Sequence, residues 1–385
     1  MIKVMSIFGT RPEVIKMAPI LKEMKNYKDI ESRVVVTGQH RQMLDQLMKF
    51  FGITAHHDLD IMLEKQTLYQ ITERALKGIR PVLQEEKPDL VLVQGDTTTA
   101  FVAALGSFYE KIPVGHVEAG LRTDNIYEPF PEEINRRLIT IIATIHFAPT
   151  RTAVMNLEKS GIKSGIYLTG NTVIDALCHI LETAESTLPP EISFLEKSKS
   201  RILLVETHRR ENLGEPIAAV CRALKRLKAD FPDIEIVFSV HRNPAVREVV
   251  FPALSGISGI HLIDPVDYTV LVRLMELCYM VLTDSGGIQE EAPSLGKPVL
   301  VLRGTTERPE GITAGTAKLI GTREDRVYKA TAQLLSDPGE YSRMSRAVNP
   351  YGDGLAAVRV VNAIRHHFGL CPEPPLPFTG GDHGN

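Results

Sequence analysis

Asp284-Ser285-Gly286-Gly287-Ile288-Gln289-Glu290-Glu291 has the pattern of a turn from a strand into a helix, and the same pattern recurs along the chain. It follows the apolar run 279–283, which predicts a short buried strand, and it opens a helical pattern that ends near Gly296. A strand, a glycine pair and a helix start predict a phosphate site, because glycines allow close backbone approach and a helix N-terminus presents unpaired N–H groups. The alternative is an ordinary helix in which Glu290 and Glu291 are first-turn partners of the helix dipole.

The β-α rhythm continues through the second half of the chain. Apolar runs at 201–206, 234–240 and 299–302 predict further strands. His208 and His241 each lie just beyond one of these predicted strands, with arginines beside them. Each histidine by itself is explained as a hydrogen-bonded surface residue, but two at matching strand ends indicate a functional site.

The first half of the chain begins with the same pattern. The strand predicted at 2–8 ends at Gly9-Thr10-Arg11-Pro12-Glu13, and Pro12 suits the first turn of the helix that follows. A turn with a single glycine lacks the G-x-G-x-x-G spacing of a dinucleotide site. Arg11 and Lys16 are candidates to face a phosphate, although position alone favours a solvated surface charge for Lys16.

Two carboxylates follow the next strands. Asp96 comes after the apolar run 88–94, and Glu118 comes after the run 113–117. In open α/β sheets ligands bind at the carboxyl ends of the strands, so both side chains are expected at the binding edge. Asp96 has a competing explanation as a helix cap, whereas Glu118 does not lead into a helix. We predict a functional role for at least one of them.

A third acidic position opens a helix after the proline-bounded segment 127–131. Glu132 and Glu133 begin this predicted helix, and Arg136 and Arg137 lie one turn later. The simple interpretation is a set of i,i+3 and i,i+4 ion pairs along one helix. The alternative is that Glu132 joins the other two carboxylates at the same binding edge.

One interruption divides the chain. Residues 188–200 contain a Pro-Pro pair, several serines and mixed charge, which predicts an inter-domain joint. A length of 385 residues also favours two domains over one. We predict an α/β fold with two Rossmann-like, doubly wound domains facing each other across a cleft. The predicted boundaries are 1–186 for the N-terminal domain, 187–200 for the joint, 201–353 for the C-terminal domain, 354–369 for a last helix and 370–385 for a flexible tail.

Composition excludes several functional classes. A formal net charge of −3 gives no indication of a nucleic-acid partner, and no apolar run is long enough to cross a bilayer. The four widely spaced cysteines argue against a disulfide framework or a zinc site and suit a reducing cytoplasm. The sequence starts directly in a strand and lacks the regions of a signal peptide. We therefore expect a cytoplasmic protein that uses no metal and no cofactor and binds neither nucleic acid nor membrane.

Phosphate-binding turns, arginines and three carboxylates together favour an enzyme that acts on a nucleotide sugar. Several segments, taken in chain order, resemble the non-hydrolysing UDP-N-acetylglucosamine 2-epimerases. These segments are Phe8-Gly9-Thr10-Arg11-Pro12-Glu13, Gly38-Gln39-His40-Arg41, Gly95-Asp96-Thr97, Gly115-His116-Val117-Glu118-Ala119-Gly120-Leu121-Arg122, Pro131-Glu132-Glu133, His208-Arg209-Arg210-Glu211, Ser285-Gly286-Gly287-Ile288-Gln289-Glu290-Glu291 and Thr306-Glu307-Arg308-Pro309. The resemblance implies a glycosyltransferase-B-like fold, a homodimer, and interconversion of UDP-N-acetylglucosamine and UDP-N-acetylmannosamine for cell-surface polysaccharide synthesis.

The resemblance also implies a mechanism. Because C2 of the sugar has no adjacent carbonyl, direct proton abstraction is costly, and the family instead eliminates UDP to a 2-acetamidoglucal and adds it back. The resemblance does not decide which group is the base, and one carboxylate is also suited to stabilise positive charge at C1. The groups implied at the reacting sugar are Asp96, Glu118, Glu132 and His208. The groups implied in substrate binding are Arg11, Lys16, Arg136, Ser285, Gly286, Gly287, Glu291 on the ribose and Arg308 on the phosphates.

Bacterial members of that family bind a second substrate molecule as an activator. The positions that match this activator site are Gln39, Gln42, Lys65, Gln66, Glu132, Arg209 and His241. Lys65 stands where an arginine is common in the family. Four alternatives stay open: a 2-epimerase of a UDP-diacetamido-uronic acid, a glycosyltransferase on the same fold, a hydrolysing relative, and a UDP-sugar sensor without catalytic activity.

Overall fold

The computed structural model describes residues 1–38, 41–61, 63, 66–123, 125–184, 187–207, 209 and 212–380, without the side chains of 41–43. The chain forms two compact units, one of residues 1–176 with 351–380 and one of residues 177–350. Three predicted site residues, Gln39, Lys65 and His208, lie outside the described residues, as does the side chain of Gln42.

The first unit is built on a seven-stranded parallel sheet. Its strands are β1 (Ile2–Phe8), β2 (Ile30–Val36), β3 (His57–Asp58), β4 (Leu90–Gln94), β5 (Val114–Val117), β6 (Ile145–Ala148) and β7 (Ile166–Leu168). The strand order is β3-β2-β1-β4-β5-β6-β7. All five residues of β4 are buried, as a parallel sheet covered on both faces requires.

Helices connect these strands and cover the sheet. They are α1 (Arg11–Met24), α2 (Arg41–Phe50), α3 (Leu68–Glu86), α4 (Thr98–Tyr109), α5 (Glu132–Ile142), α6 (Arg151–Lys159) and α7 (Thr172–Thr183). Because parallel crossovers are right-handed, α1 and α4 lie on opposite faces of the sheet. Helices α3, α4 and α5 pack side by side, and α1 packs against α2.

The second unit repeats this architecture with six parallel strands. Its strands are β8 (Arg201–Thr207), β9 (Ile234–Val240), β10 (Ile260–Ile263), β11 (Met280–Thr283), β12 (Val299–Val301) and β13 (Ala317–Leu319). Its helices are α8 (Glu215–Asp230), α9 (Pro244–Leu254), α10 (Tyr268–Leu277), α11 (Gly286–Glu291), α12 (Pro309–Ala314), α13 (Glu324–Ser336) and α14 (Pro338–Ser345). The strand order is β10-β9-β8-β11-β12-β13.

The strand order reverses once in each sheet, which confirms the predicted doubly wound α/β class. In the first unit the reversal lies between β1 and β4, and in the second it lies between β8 and β11. At such a point the connections leave to opposite faces and open a crevice at the carboxyl ends of the strands. The segment 284–291 follows β11 and therefore borders the reversal of the second sheet.

The end of the chain belongs to the first unit. Helix α15 (Ala356–His367) packs against α1, and Arg365 bonds Asp29 at 2.9 Å. Beyond it, Phe378 is buried and its N–H donates to the Leu168 carbonyl at 2.9 Å. Residues 371–380, predicted as part of a flexible tail, thus extend along the edge strand β7.

Asp175 caps α15 from a distant part of the sequence. Its carboxylate accepts hydrogen bonds from the N–H groups of Ala356 and Ala357 at 3.2 and 2.7 Å. Burial raises the pKa of Asp175 from 3.8 to about 6, although these two hydrogen bonds act in the opposite direction. A carboxyl with a raised pKa stabilises the fold most in its protonated form, so its contribution is complete below pH 3.8 and is lost as the pH rises through 6.

We therefore expect Asp175→Asn to gain stability relative to the wild type between pH 4 and pH 7, by on the order of 2–3 kcal/mol. Urea unfolding of both proteins at four pH values in this range measures the difference. Asp353→Asn is the control, because the Arg359 side chain lowers the pKa of Asp353 below its ordinary 3.8. The difference in unfolding free energy between this variant and the wild type should therefore not change with pH in this range. A constant difference for Asp175→Asn would contradict the expectation.

Within the described ranges, no helix combines the length and apolar character needed to span a bilayer. All four cysteines are free thiols. Burial raises the pKa of Cys221 and of Cys278 to about 12, so both remain protonated at neutral pH. These two residues are packing groups of the second unit.

Candidate functional site

The turn after β1 stands at the reversal point of the first sheet. A Cβ at Gly9 would lie 1.9 Å from Thr37 Oγ1, so only glycine lets this turn approach β2 so closely. The side chain of Arg11 begins α1 and is half-buried. It has no hydrogen-bond or ion-pair partner among the described residues. Arg11 is therefore available to an anion at this edge.

Asp96 lies across the reversal from that turn and is held by Arg136. Nε of Arg136 donates to Asp96 Oδ2 at 2.9 Å, and Nη2 donates to the same oxygen. The other oxygen, Oδ1, accepts from no described residue. Thr97 caps α4 by accepting from the Ala100 N–H at 3.0 Å, so the helix-cap explanation of Asp96 is wrong. The structure leaves one oxygen of Asp96 for a ligand.

A buried carboxylate fixes Arg136 from the other side. Glu133 is fully buried and accepts from Arg136 at 3.1 Å, from Arg137 at 2.7 Å and from the Thr123 N–H at 3.1 Å. These are the i,i+3 and i,i+4 ion pairs predicted for this helix. Glu133 is thus structural, whereas Glu132, the first residue of α5, is half-buried.

Three donors from described residues surround the carboxylate of Glu118. Lys16 Nζ lies 2.5 Å from Oε1, Gln94 Nε2 lies 2.5 Å from Oε2, and Asn171 Nδ2 lies 3.1 Å from Oε1. The Glu118 side chain is only 7% exposed, and that of Lys16 is 12% exposed. Lys16 is therefore not the solvated surface charge that its position suggests. Three donors, one of them cationic, favour the ionised carboxylate.

Two further groups connect the loops that carry these carboxylates. Glu13 is buried and accepts from Gly9 N–H at 2.9 Å and from Thr97 Oγ1 at 2.7 Å, so it joins the turn after β1 to the turn after β4. Burial raises the pKa of Glu13 against these hydrogen bonds. His116 Nε2 donates to the Gly95 carbonyl at 2.7 Å, and burial lowers the pKa of His116 to about 3. A neutral histidine thus supports the residue before Asp96.

In the second unit, a buried carboxylate accepts several hydrogen bonds beside the reversal point of the sheet. Asp284 is fully buried and accepts from Thr207 Oγ1 at 2.5 Å, from Asn212 Nδ2 at 2.7 Å and from the Arg209 N–H at 3.1 Å. Asp284 therefore fastens the loop after β8 to the start of the turn 285–287. This places the loop of Arg209 next to the predicted phosphate turn.

The helix after this turn is shorter than its pattern suggests. Helix α11 has six residues and continues as a 3₁₀ segment, Ala292–Leu295. Gln289, Glu290 and Glu291 are buried in its second half, so the interpretation of the carboxylates as first-turn dipole partners is wrong. The buried Glu290 accepts instead from Arg308 Nε.

Arg308 overhangs the glycine pair. A Cβ placed on Gly286 would lie 3.7 Å from Arg308 Nη2, and a Cβ on Gly287 would lie 3.4 Å from Glu291 Oε1. The Arg308 side chain is mostly buried, with 13% exposed. The structure thus brings a guanidinium and a buried carboxylate to the Ser285–Gly287 turn, which suits a diphosphate and its ribose.

The described positions of the predicted activator site are spread over both units. Arg209 Nη1 lies 3.6 Å from Glu307 Oε1. Burial alone would raise the pKa of Glu307, but hydrogen bonding from Arg303 and the Arg209 charge hold it at about 2. His241 is exposed, and its Nδ1 accepts from Asn243 N–H at 3.1 Å. Gln66 Nε2 donates to the Ile61 carbonyl at 2.7 Å.

Three residues of this arrangement were not predicted as site residues. Glu13, Gln94 and Asn171 all contact the candidate loops, and each carries a weak sequence signal. Gln94 is the single polar residue of an apolar strand, Asn171 follows a glycine at a strand end, and Glu13 lies in a first helical turn. Among the described residues, no group of three His, Cys, Asp or Glu side chains is arranged to hold a metal ion.

Comparison with known proteins identifies relatives across nearly the whole chain. A family model described as UDP-N-acetylglucosamine 2-epimerase matches residues 22–365. A Bacillus subtilis protein of the same description is 50% identical over 380 residues, which cover 98% of this chain and 99% of that protein.

Solved structures give the same result. The S. aureus MnaA–UDP co-structure has a TM-score of 0.89 at 46% identity, covering 98% of this chain and 100% of that one. The crystal structure of UDP-GlcNAc 2-epimerase from Neisseria meningitidis bound to UDP-GlcNAc has a TM-score of 0.86 at 46% identity, covering 94% and 99%.

Proposed function

The chain belongs to the UDP-N-acetylglucosamine 2-epimerase family, and on that premise we propose that it interconverts UDP-N-acetylglucosamine and UDP-N-acetylmannosamine. The observation that carries the proposal is the edge of the first sheet, where two carboxylates are each paired with a cation. Asp96 is bonded to Arg136, and Glu118 is bonded to Lys16. Such an edge supplies both a proton acceptor and fixed negative charge.

Asp96 is our candidate for proton transfer at C2. Arg136 occupies one of its oxygens, while Oδ1 has no partner among the described residues and the side chain is 24% exposed. A general base needs an oxygen with an accessible lone pair. The two hydrogen bonds from Arg136 hold the carboxylate in one orientation. The Asp96 side chain therefore need not change rotamer before it accepts the proton.

Glu118 is our candidate for charge stabilisation at C1. Both of its oxygens already accept hydrogen bonds, from Lys16, Gln94 and Asn171. As UDP leaves, positive charge grows at C1, and a fixed anion lowers the energy of that state. Glu132 and His208 complete the proposed set of groups at the sugar, and Arg11 and Lys16 add positive charge for the departing diphosphate.

The second unit supplies the proposed UDP-binding groups. Ser285, Gly286 and Gly287 would offer backbone N–H groups to the phosphates, and Arg308 would add a charged donor to them. Glu291 would accept from the ribose hydroxyls. The buried Glu290 orients the Arg308 guanidinium over the glycine turn, which lowers the ordering cost when UDP binds.

We extend the proposal to activation by a second UDP-N-acetylglucosamine molecule. The implied contacts are Gln39, Gln42, Lys65, Gln66, Glu132, Arg209 and His241. Glu307 and Asp284 fasten Arg209 at its side chain and backbone, so this cation has a defined position. Activation predicts a sigmoidal dependence of rate on UDP-N-acetylglucosamine, and a hyperbolic one would remove this part of the proposal.

Incubation with UDP-N-acetylglucosamine in heavy water tests the function. Elimination and re-addition of UDP exchange the C2 proton with solvent, so proton NMR should show deuterium at C2 together with UDP-N-acetylmannosamine. Loss of the nucleotide sugar would indicate a hydrolysing enzyme, and binding without exchange would indicate a sensor. Activity confined to a UDP-diacetamido-uronic acid, or dependent on an added acceptor, would each replace the proposal with that alternative.

We also propose a homodimer that is formed through α5. Ile134, Leu138 and Ile141 follow an i, i+4, i+7 spacing and form an exposed apolar stripe, and Ile141 is 77% exposed. The opposite face of α5 is buried. An apolar stripe on an otherwise amphipathic helix is a typical subunit interface.

Ile141→Glu should convert the protein from dimer to monomer, since a carboxylate in an apolar interface is costly to desolvate. Light scattering coupled to size-exclusion chromatography measures the mass. Leu376→Glu is a matched control, because Leu376 is 84% exposed but lies in the C-terminal segment, outside α5. A wild-type monomer, or a dimeric Ile141→Glu variant, would contradict this assignment.

A further inference from the structure

One donor to Glu118 comes from an unexpected distance. Asn171 lies in the loop between β7 and α7, and β7 is two strands away from β5, which Glu118 follows. Adjacent strands are about 4.8 Å apart, so the two strand ends are separated by roughly 10 Å. The Asn171 side chain nevertheless reaches Glu118 Oε1 at 3.1 Å. The loop after β7 thus extends past β6 to the carboxylate.

The hydrogen bonds of Asn171 determine the orientation of its amide. Oδ1 accepts from the Val173 N–H at 3.1 Å, as a residue at the start of a helix does. The other end of the amide must then be nitrogen, which donates to Glu118. Asn171 is only 2% exposed, so water does not compete for these bonds. One side chain therefore begins α7 and holds the carboxylate.

The hydrogen bond from Asn171 matters because the backbone of Glu118 has an unfavourable conformation. Its φ is +65°, in the left-handed region that residues other than glycine rarely adopt. This conformation costs about 1–2 kcal/mol and persists only when surrounding contacts hold it. Asn171 has fewer rotatable bonds than Lys16 or Gln94, and both its side chain and its backbone N–H are hydrogen-bonded. Asn171 is thus the rigid contact of Glu118.

The C-terminal segment anchors Asn171 in turn. The Asn171 N–H donates to the Tyr351 carbonyl at 2.7 Å. A Cβ at Gly352 would lie 3.2 Å from the Asn171 carbonyl oxygen and 2.9 Å from Ile174 Cγ1, so the segment packs closely on the loop. Residues at the end of the chain therefore support a residue near its middle.

We propose that Asn171 is a positioning residue that fixes Glu118 as an oriented anion, and that the segment 351–352 fixes Asn171. The inference rests on the proposed function, because that function gives Glu118 its role at C1. It adds a residue whose action passes through Glu118 and involves no contact with the substrate.

Asn171→Asp is the decisive variant. It keeps the shape and the acceptor for the Val173 N–H, since aspartate caps helices as well as asparagine does. It replaces the donor with a second negative charge beside Glu118, which favours protonation of the pair. We expect kcat to fall about 10- to 100-fold, the acidic limb of the kcat profile to move to higher pH, and KM to change little. The melting temperature should fall, because a second carboxyl is placed at a buried site, but the protein should remain folded at the assay temperature.

Asn171→Ser separates capping from positioning. Serine also caps helices but is too short to reach Glu118, so kcat should fall while the acidic limb moves less than in Asn171→Asp, because a donor is lost but no charge is added. Asn26→Asp is a charge-matched control at an exposed site, and we expect wild-type kinetics from it. The assays are epimerisation by NMR from pH 5 to 9, UDP binding by calorimetry and thermal unfolding.

Each outcome distinguishes the two proposals. A wild-type protein that does not epimerise UDP-N-acetylglucosamine would overturn the proposed function and this inference with it. An active wild type with unchanged kcat and pH profile in both Asn171 variants would overturn the inference alone. Activity lost only in parallel with melting temperature, or failure of both variants to fold, would show that Asn171 serves the helix and does not position Glu118.

Discussion

Asp96→Asn will lower kcat by about 10²–10⁴-fold and will abolish deuterium uptake at C2. The amide has no lone pair basic enough to accept the C2 proton, and it retains the size of the carboxylate. It also leaves Arg136 with a weaker partner, but Glu133 continues to hold that guanidinium from the other side. UDP affinity, measured by calorimetry, should remain close to wild type.

Glu118→Gln will lower kcat by about 10²–10³-fold for a different reason. The glutamine keeps the shape but removes the negative charge that faces C1. Its single amide oxygen can replace only one of the two oxygens that Lys16 and Gln94 bond separately. Elimination, followed as release of UDP, should slow together with C2 exchange. Wild-type turnover in both variants would reassign Asp96 and Glu118 to structural roles.

Glu86→Gln provides the matched control for these two carboxylates. Hydrogen bonds from His57 and Lys3 lower the pKa of Glu86 to about 2. Its stabilisation is therefore present above pH 4.5 and is lost as the pH falls towards 2. Removal of this carboxylate should lower stability near neutral pH, by an amount that shrinks as the pH falls towards 2, and should leave kcat unchanged. This result separates an ion pair of the fold from the candidate site.

Arg308→Ala will weaken UDP binding or the departure of UDP by about 10- to 100-fold, as expected for the loss of one charged hydrogen bond. Calorimetry with UDP and steady-state kinetics measure the two effects. The substitution also leaves Glu290 buried without this cation, so it should lower the melting temperature.

A second variant separates the ligand effect from that stability effect. Arg308→Ala combined with Glu290→Gln removes the buried charge and should recover stability without recovering UDP affinity. Arg343→Ala is the control for loss of an arginine, because Arg343 pairs with Glu340 on the exposed surface of α14. Recovery of UDP affinity in the double variant would indicate that Arg308 acts only through packing.

The sequence predicted which candidate site residues lie at the binding edge where those residues directly follow a strand. Asp96, Glu118 and Ser285–Gly287 all lie directly after apolar runs, and parallel strands present such positions at one edge. The environment of Lys16 was not predictable from helical position, because Glu118 is 102 residues away in the chain. The environment of Arg308 was also not predictable, because its buried partner Glu290 lies on α11, 18 residues earlier and beyond strand β12.

Local sequence determined the alternation of strands and helices in this protein, together with the turns that end the strands. Those features depend on side chains a few residues apart, and hydrophobic periodicity and glycine record them directly. The strand order, the positions of the two reversals and the pairing of Glu118 with Lys16 and Asn171 follow from tertiary packing and were not predictable from sequence. These features depend on which distant segments pack together. Burial of both faces of a sheet stabilises one arrangement of the whole unit, and no local sequence pattern specifies that arrangement.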